Sequence, residues 1–214
     1  MKVDYDTIKR AMDIFFAISL GIIFLPVMAV VAVVIKLTSP GPILAQTPMR
    51  VGKNGKLFRL YKFRSMVANA HELLTNDPKF RKLYEEYKKS GYKLREDPRV
   101  TSVGRIIRRH SLDELPQLFN VLRGEMSIVG PRPYYPDELK EQQKRYSGTH
   151  ELVREVLSVR PGATGLWQVS GRSEINFEKR IVLDAEYARR KSLLLDLSIL
   201  FKSPWVMITG KGAV

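Results

Sequence analysis

Asp113 and Glu114 are adjacent carboxylates that follow directly on a run of cations, with Arg105, Arg108 and Arg109 a few residues upstream. A carboxylate at a helix N-terminus beside cations keeps a low pKa and stays ionised. That suits an anionic nucleophile or a metal ligand better than a general acid. Aspartate forms acyl phosphates in covalent catalysis, Mg2+ is commonly held by one or two carboxylates plus substrate phosphates, and nearby arginines stabilise charge on a transferring phosphoryl group. The same residues also admit a purely structural reading, in which Ser111 and Glu114 form an S-x-x-E capping box and the helix dipole favours Asp113. Pro116 is tolerated only in a first turn, so the helix is expected to start between Ser111 and Asp113.

Other basic clusters could complete a phosphate cradle. Lys62 and Arg64 lie in a KFRS segment with a hydroxyl beside them, Arg132 is held between Pro131 and Pro133, and Arg160 and Arg172 flank the Gly-rich stretch GATGLWQVSG. That stretch lacks the Walker A spacing, and no G-x-G-x-x-G follows a strand. Trp167 and Gln168, inside it, are ambiguous, because a tryptophan there could pack in a core, sit at a membrane interface or stack on a base.

These side chains need positioning, and the first element that could do so is apolar. Every residue from Ile14 to Ile35 is apolar or small, and about 20 such residues span a bilayer as a helix. Pro26 near the middle predicts a kink that divides the run into two arms, each of roughly half the hydrocarbon thickness at about 1.5 Å per residue. Both flanks are basic, with Lys2, Lys9 and Arg10 before the run and Lys36, Arg50, Lys53 and Lys56 after it. The positive-inside tendency puts both on the cytoplasmic side, which favours a re-entrant helix over a straight span. Residues 1–38 are read as that membrane helix and 39–214 as one catalytic domain.

Within 39–214, Asn54-Gly55 signals a β-hairpin. Residues 66–93 read as helical with Gly91 as the stop, and Leu112, Leu115, Leu118, Phe119 and Leu122 fall at helical spacing before Gly124. Residues 136–158 and 174–191 read as further helices, 130–133 as a rigid loop and 160–165 as a Gly-rich turn. The apolar C-terminal run, with Trp205 after Pro204 and Lys202 nearby, suits a core helix or one lying on the bilayer. The fold class is therefore mostly α with a small β-hairpin (α+β): a re-entrant membrane helix plus a cytosolic domain with interfacial helices.

The net charge of +14, from 36 Lys+Arg against 22 Asp+Glu, calls for an anionic partner: nucleic acid, an anionic membrane surface or a phosphorylated substrate. No helix-turn-helix or aromatic reading surface is evident, so no nucleic acid is expected. The absence of Cys excludes disulfides, iron–sulfur clusters and thiol catalysis, and three separated His make a His-based metal cage improbable.

In order along the chain, KRAMDIFFAI, TSPGPI, KFRSM, VTSVGRIIRRHSLDELPQLFNVLRGEMSIVGPRP and VRPGATGLWQVSGR together resemble the monotopic phosphoglycosyl transferases, the bacterial sugar transferases that initiate glycan assembly on undecaprenyl phosphate. The chain is similar to their shared catalytic core, without the extra transmembrane helices of the larger members. The resemblance implies a re-entrant helix at the bacterial inner (cytoplasmic) membrane, with the catalytic domain on its cytoplasmic face. It implies Asp113 as nucleophile, Glu114 as its catalytic partner and Mg2+ held by the two. It implies ping-pong transfer of a sugar phosphate from a UDP-sugar to undecaprenyl phosphate with release of UMP. Similarity of the C-terminal part to the hexose-transferring branch points to glucose or galactose. The sequence leaves the oligomeric state open, a homodimer included.

Overall fold

The computed structural model describes residues 4–90, 92, 94, 96–172 and 175–209; Lys2 and Gly91 lie outside them. Helix α1 (Tyr5–Thr38) is one continuous helix with Pro26 inside it, so the two arms expected from the sequence are not separated by a break. Along one stripe Asp13, Ala17, Val31 and Ile35 are buried, and Leu20, Phe24 and Met28 pack beside them. The opposite face exposes Phe15, Ile22, Ile23, Leu25, Val30, Val33 and Leu37. An apolar face of this extent marks a membrane or interaction surface, and α1 is long and apolar enough to cross a bilayer.

Both ends of α1 are fastened to the same domain. Near its start, Arg10 donates to the carbonyls of Val121 (2.6 Å) and Leu122 (2.9 Å), and Asp13 accepts from the Ser127 hydroxyl (2.9 Å) and the Ile128 amide (3.0 Å). At its exit, the buried Arg64 guanidinium donates to the Ser39 carbonyl (2.8 Å), the Ser39 hydroxyl (2.9 Å) and the Pro42 carbonyl (2.6 Å).

The expected hairpin is present. Strands β1 (Arg50–Val51) and β2 (Leu57–Phe58) pair antiparallel with Arg50 opposite Phe58, and the turn is made by Asn54 and Gly55 at φ 57° and 77°. A second pair was not expected: β3 (Ser127–Val129) and β4 (Gly162–Thr164) run parallel, with Ser127 opposite Gly162. Residues 162–164, read as part of a turn, are thus a strand. The glycines serve a close backbone approach, since a Cβ on Gly162 would come within 2.1 Å of the Gly130 nitrogen and one on Gly165 within 2.1 Å of the Gly130 oxygen. Parallel strands need a long crossover, supplied here by α6 (Pro136–Arg145) and α7 (His150–Val156).

Other boundaries differ from the sequence reading for local reasons. Met66 pairs with Val100 as an isolated bridge instead of starting a helix. The helix over 66–93 divides into α2 (Ala70–Asn76) and α3 (Arg81–Lys89), because Asp77 accepts from the Lys79 amide (2.9 Å) and Pro78 cannot continue the first helix. A turn at Ser147–Thr149 separates α6 from α7. Helix α4 (Ser102–Arg109) is capped by the Thr101 hydroxyl on the Gly104 amide (2.9 Å), and α5 spans Gln117–Leu122. After the short α8 (Leu166–Val169), α9 (Phe177–Arg190) starts at an Asn176 cap. Helix α10 (Leu193–Thr209) divides between core and surface: Asp196, Ile199 and Ser203 are buried, while Leu194, Phe201 and Trp205 are exposed.

The hydrophobic interior lies between α1 and the domain. Ala17 packs with Leu118, Val121, Met126, Ile128, Tyr187 and Ile199; Val31 and Ile35 pack with Phe63, Ile107 and Leu115. Leu118 and Val121 of α5 thus pack with Ala17 of α1, and Leu115, just after the turn that carries Asp113 and Glu114, packs with Val31 and Ile35, which ties that turn to the helix.

Candidate active site

Asp113 and Glu114 sit in a single 3-10 turn, Leu112–Glu114. Ser111 before it adopts φ 56° and caps nothing. Its hydroxyl instead accepts a short hydrogen bond from Arg172. The capping box is therefore absent, and the helix begins at Gln117, later than the sequence reading placed it.

The facing wall is the extended segment Leu60–Arg64. Its backbone is fixed on both sides: the Ala45 amide donates to the Lys62 carbonyl (2.9 Å), the Arg64 amide to Ile43 (2.9 Å) and the Phe63 amide to the Asp113 carbonyl (2.9 Å). Asn120, fully buried, accepts from the Tyr61 amide (2.9 Å) and donates to Arg59 (2.7 Å). Extended residues alternate sides. Phe63 enters the interior, and Lys62 reaches the carboxylates, with Nζ 3.3 Å from Asp113 Oδ2 and 2.9 Å from Glu114 Oε1.

The two carboxylates differ in electrostatics. Asp113 is 5% exposed, and burial pushes its pKa up; Lys62 opposes this, and the neighbouring Glu114 charge adds to it. The low pKa expected from a helix N-terminus is overturned for Asp113, since no helix starts there and the side chain is desolvated. The Glu114 side chain is 37% exposed. Burial raises its pKa too, but the Lys62 charge and hydrogen bond, with Arg172 and Arg132 behind them, bring it below the usual value. Desolvation works against the Lys62 ammonium, yet the two carboxylates raise its pKa.

A cavity of about 290 Å³ opens over this pair. Lys62, Arg64, Arg108, Arg132, Trp167, Gln168 and Arg172 all line it with the dyad. Arg64 lines it with a guanidinium committed to Ser39, Pro40 and Pro42, which makes it the clamp on the exit of α1. Arg132 lies 5.4 Å from the Trp167 ring centroid, and its loop is anchored where its own amide (3.1 Å) and the Tyr134 hydroxyl (2.8 Å) donate to the buried Asp184. Arg132 Nε, Arg172 Nη1 and Gln168 Oε1 are buried atoms without hydrogen-bond partners. Unsatisfied buried donors are rare in folded proteins, and two of them on one cavity wall are suited to an anionic ligand.

Two candidates are not brought in. Arg109 is on the exposed side of α4. Arg160 donates to the Gly124 carbonyl (2.9 Å) and lines a separate small pocket with Tyr5 and Lys9 beneath the start of α1. Conversely, Arg50, read as a membrane-flanking cation, is buried in the cavity wall with its guanidinium carbon 3.2 Å from the Tyr135 ring centroid. No local pattern marks this, because the burial depends on a loop more than 80 residues away joining β1 through the Val51 amide and the Tyr134 carbonyl (2.9 Å).

Among the described residues no group of three His, Cys, Asp or Glu is placed to hold a metal. Asp113 and Glu114 alone fit Mg2+ in the manner that leaves most positions to water and substrate phosphates; the Lys62 ammonium supplies the positive charge they share.

Comparison with known proteins converges on one family. A profile of bacterial sugar transferases matches residues 4–210. The chain is 46% identical over 210 residues to the undecaprenyl-phosphate galactose phosphotransferase of Salmonella typhimurium, covering 96% of this chain and 41% of that protein. It is 37% identical over 214 residues to the UDP-glucose:undecaprenyl-phosphate glucose-1-phosphate transferase of Escherichia coli, covering 96% and 41%. It is 41% identical over 206 residues to the exopolysaccharide production protein ExoY of Sinorhizobium fredii, covering 96% and 87%. The chain thus spans less than half the length of the first two and most of the third.

Proposed function

The chain belongs to the bacterial sugar transferase family, and from that premise we propose that it transfers a hexose 1-phosphate, of glucose or galactose, from a UDP-sugar to undecaprenyl phosphate, as the first membrane step of exopolysaccharide, capsule or O-antigen assembly. The observation that carries the reading is the buried Asp113, bridged through Lys62 to Glu114 beneath a cavity with unpartnered guanidinium donors. In the first step an Asp113 carboxylate oxygen attacks the sugar-linked phosphorus. The bond from that phosphorus to the bridging diphosphate oxygen breaks, and UMP leaves with the electron pair. In the second step an oxygen of undecaprenyl phosphate attacks the same phosphorus, the acyl-phosphate bond breaks, and the Asp113 carboxylate is restored. No proton transfer is required in either step. Lys62 holds Asp113 ionised against desolvation, and Arg132 and Arg172 receive charge on the phosphoryl oxygens. When bound at Asp113 and Glu114 with the substrate diphosphate, Mg2+ would neutralise phosphate charge.

Purified protein with Mg2+ and undecaprenyl phosphate is expected to release UMP from UDP-glucose or UDP-galactose, with release suppressed by EDTA. Absence of UMP release across a panel of UDP-sugars would sink this reading.

We also propose that α1 enters and leaves one leaflet from the cytoplasmic side. Its start and its exit are both bonded to one domain, and a full crossing would require that domain to reach both faces of the bilayer. Ile106 on α4, Phe119 on α5 and Trp205 on α10 are further exposed apolar side chains that would insert if the domain rests at headgroup level, where a lipid phosphate already lies. Because the chain has no native Cys, single cysteines at Asp4 and Leu37 can report sidedness. Both should react with an impermeant maleimide only from the cytoplasmic side; labelling from opposite sides would establish a span.

A further inference from the structure

Arg50 has an environment that the dyad chemistry leaves unexplained. It is 6% exposed, and among the described residues it forms no ion pair. One Nη donates to the Pro133 carbonyl (3.1 Å), the guanidinium stacks on Tyr135, and Nε has no hydrogen-bond partner. A buried charge is ordinarily paired. Burial and the neighbouring Arg132 charge weigh against the Arg50 guanidinium, while Tyr135 and Glu138 favour it without forming an ion pair with it. Tyr135 lies among Arg50, Arg132 and Lys62, and their combined field overcomes the effect of its burial and lowers its phenol pKa. The carboxylate on this side is Glu138, which is buried, pairs with Arg180 (2.9 Å) and lies 3.9 Å from Arg132, so Arg50 and Arg132 face the cavity with one shared counter-charge behind them.

The arrangement is directional. Lys62 and Arg172 attend the dyad, and Arg132 and Arg50 occupy the wall around Tyr135 in the same cavity. A substrate with two linked phosphates presents two anionic centres, of which only one can sit against Asp113. We infer that Arg50, backed by the Tyr135 ring, is a second phosphate position in the cavity, taken by the nucleoside-linked phosphate of the donor and of the nucleoside monophosphate it becomes. This deepens the proposed transfer reaction and rests on it for the identity of the ligand. An arginine suits the position because its planar fork can stack on a ring and still donate to phosphate oxygens, which a lysine does less well.

The test is equilibrium dialysis of radiolabelled UMP against the full-length protein in detergent, for wild type, Arg50→Lys and Arg50→Met, alongside melting temperatures. Loss of a charge-assisted contact predicts UMP binding weaker by about 10- to 100-fold in Arg50→Met, a smaller loss in Arg50→Lys, and a matching rise in donor KM. Arg50→Lys carries the test by itself if Arg50→Met does not fold. Unchanged UMP affinity in a folded Arg50 variant would overturn the inference, as would a wild type that binds no UMP. An equal fall in sugar-phosphate transfer from preformed adduct to undecaprenyl phosphate, a step without nucleotide, would reduce Arg50 to a support for its loop and also overturn it. Wild type that binds UMP through Arg50 yet releases none from UDP-sugars would instead count against the proposed reaction.

Discussion

Asp113→Asn is expected to lower sugar-phosphate transfer by at least about 1,000-fold, the scale seen when a covalent nucleophile is removed, and to leave the melting temperature at neutral pH unchanged or higher. The two effects share one origin. Burial raises the Asp113 pKa, so the folded state favours the protonated acid more than the unfolded chain does. Such a group contributes stability that is fully present below its unfolded pKa and lost as pH rises through its folded pKa. At neutral pH the ionised side chain therefore weighs against folding, and neutral Asn removes that burden while keeping the shape. Mass spectrometry of wild type incubated with donor alone should find a phosphohexose on the peptide containing Asp113 and none on the variant. An adduct on any other residue, or normal turnover in Asp113→Asn, would remove the nucleophile from the scheme.

Local chemistry accounts for what could be read from the chain. The apolar run of α1, the Asn54-Gly55 hairpin and the helix read over 174–191 each depend on residues within a few positions of one another, and each forms, the last as Phe177–Arg190. The chemistry of Asp113 and Glu114 was legible by residue type, but their environment was not. The capping box is absent because Ser111 occupies a left-handed conformation instead of the extended one of an N-cap, and its hydroxyl accepts from Arg172, 61 positions away. The parallel strands escaped notice because three-residue segments carry too little alternation to register; their glycines read as turn formers when they in fact permit the backbones of Gly130 and Gly162 to meet. The arginines show the same limit. Charge alone gave Arg64, Arg132 and Arg160 equal standing, yet the fold spends Arg64 on the exit of α1, sends Arg160 to a different pocket and leaves Arg132 in the cavity with an open donor.

Lys62→Met should slow transfer at neutral pH by on the order of 100-fold and shift the acid limb of the pH–rate profile upward. Among the described residues Lys62 is the only cation within ion-pair distance of Asp113 or Glu114. Without it, two adjacent carboxylates share a desolvated turn, and like charges so close cannot both ionise easily. The proton they retain belongs to the pair, but its consequence falls on Asp113, the more buried of the two. An attacking carboxylate must be ionised, so the rate rises with pH through the relevant pKa. In wild type that limb should already lie above the ordinary carboxylate range, because the Asp113 pKa is raised, and in the variant it should lie higher still. Raising the pH should therefore recover part of the lost rate in Lys62→Met, and Lys62→Arg, which keeps the charge, should leave the limb near its wild-type position. A uniform loss at every pH would mean that Lys62 serves the substrate phosphate alone, and that Asp113 is kept ionised by something other than the ammonium 3.3 Å away.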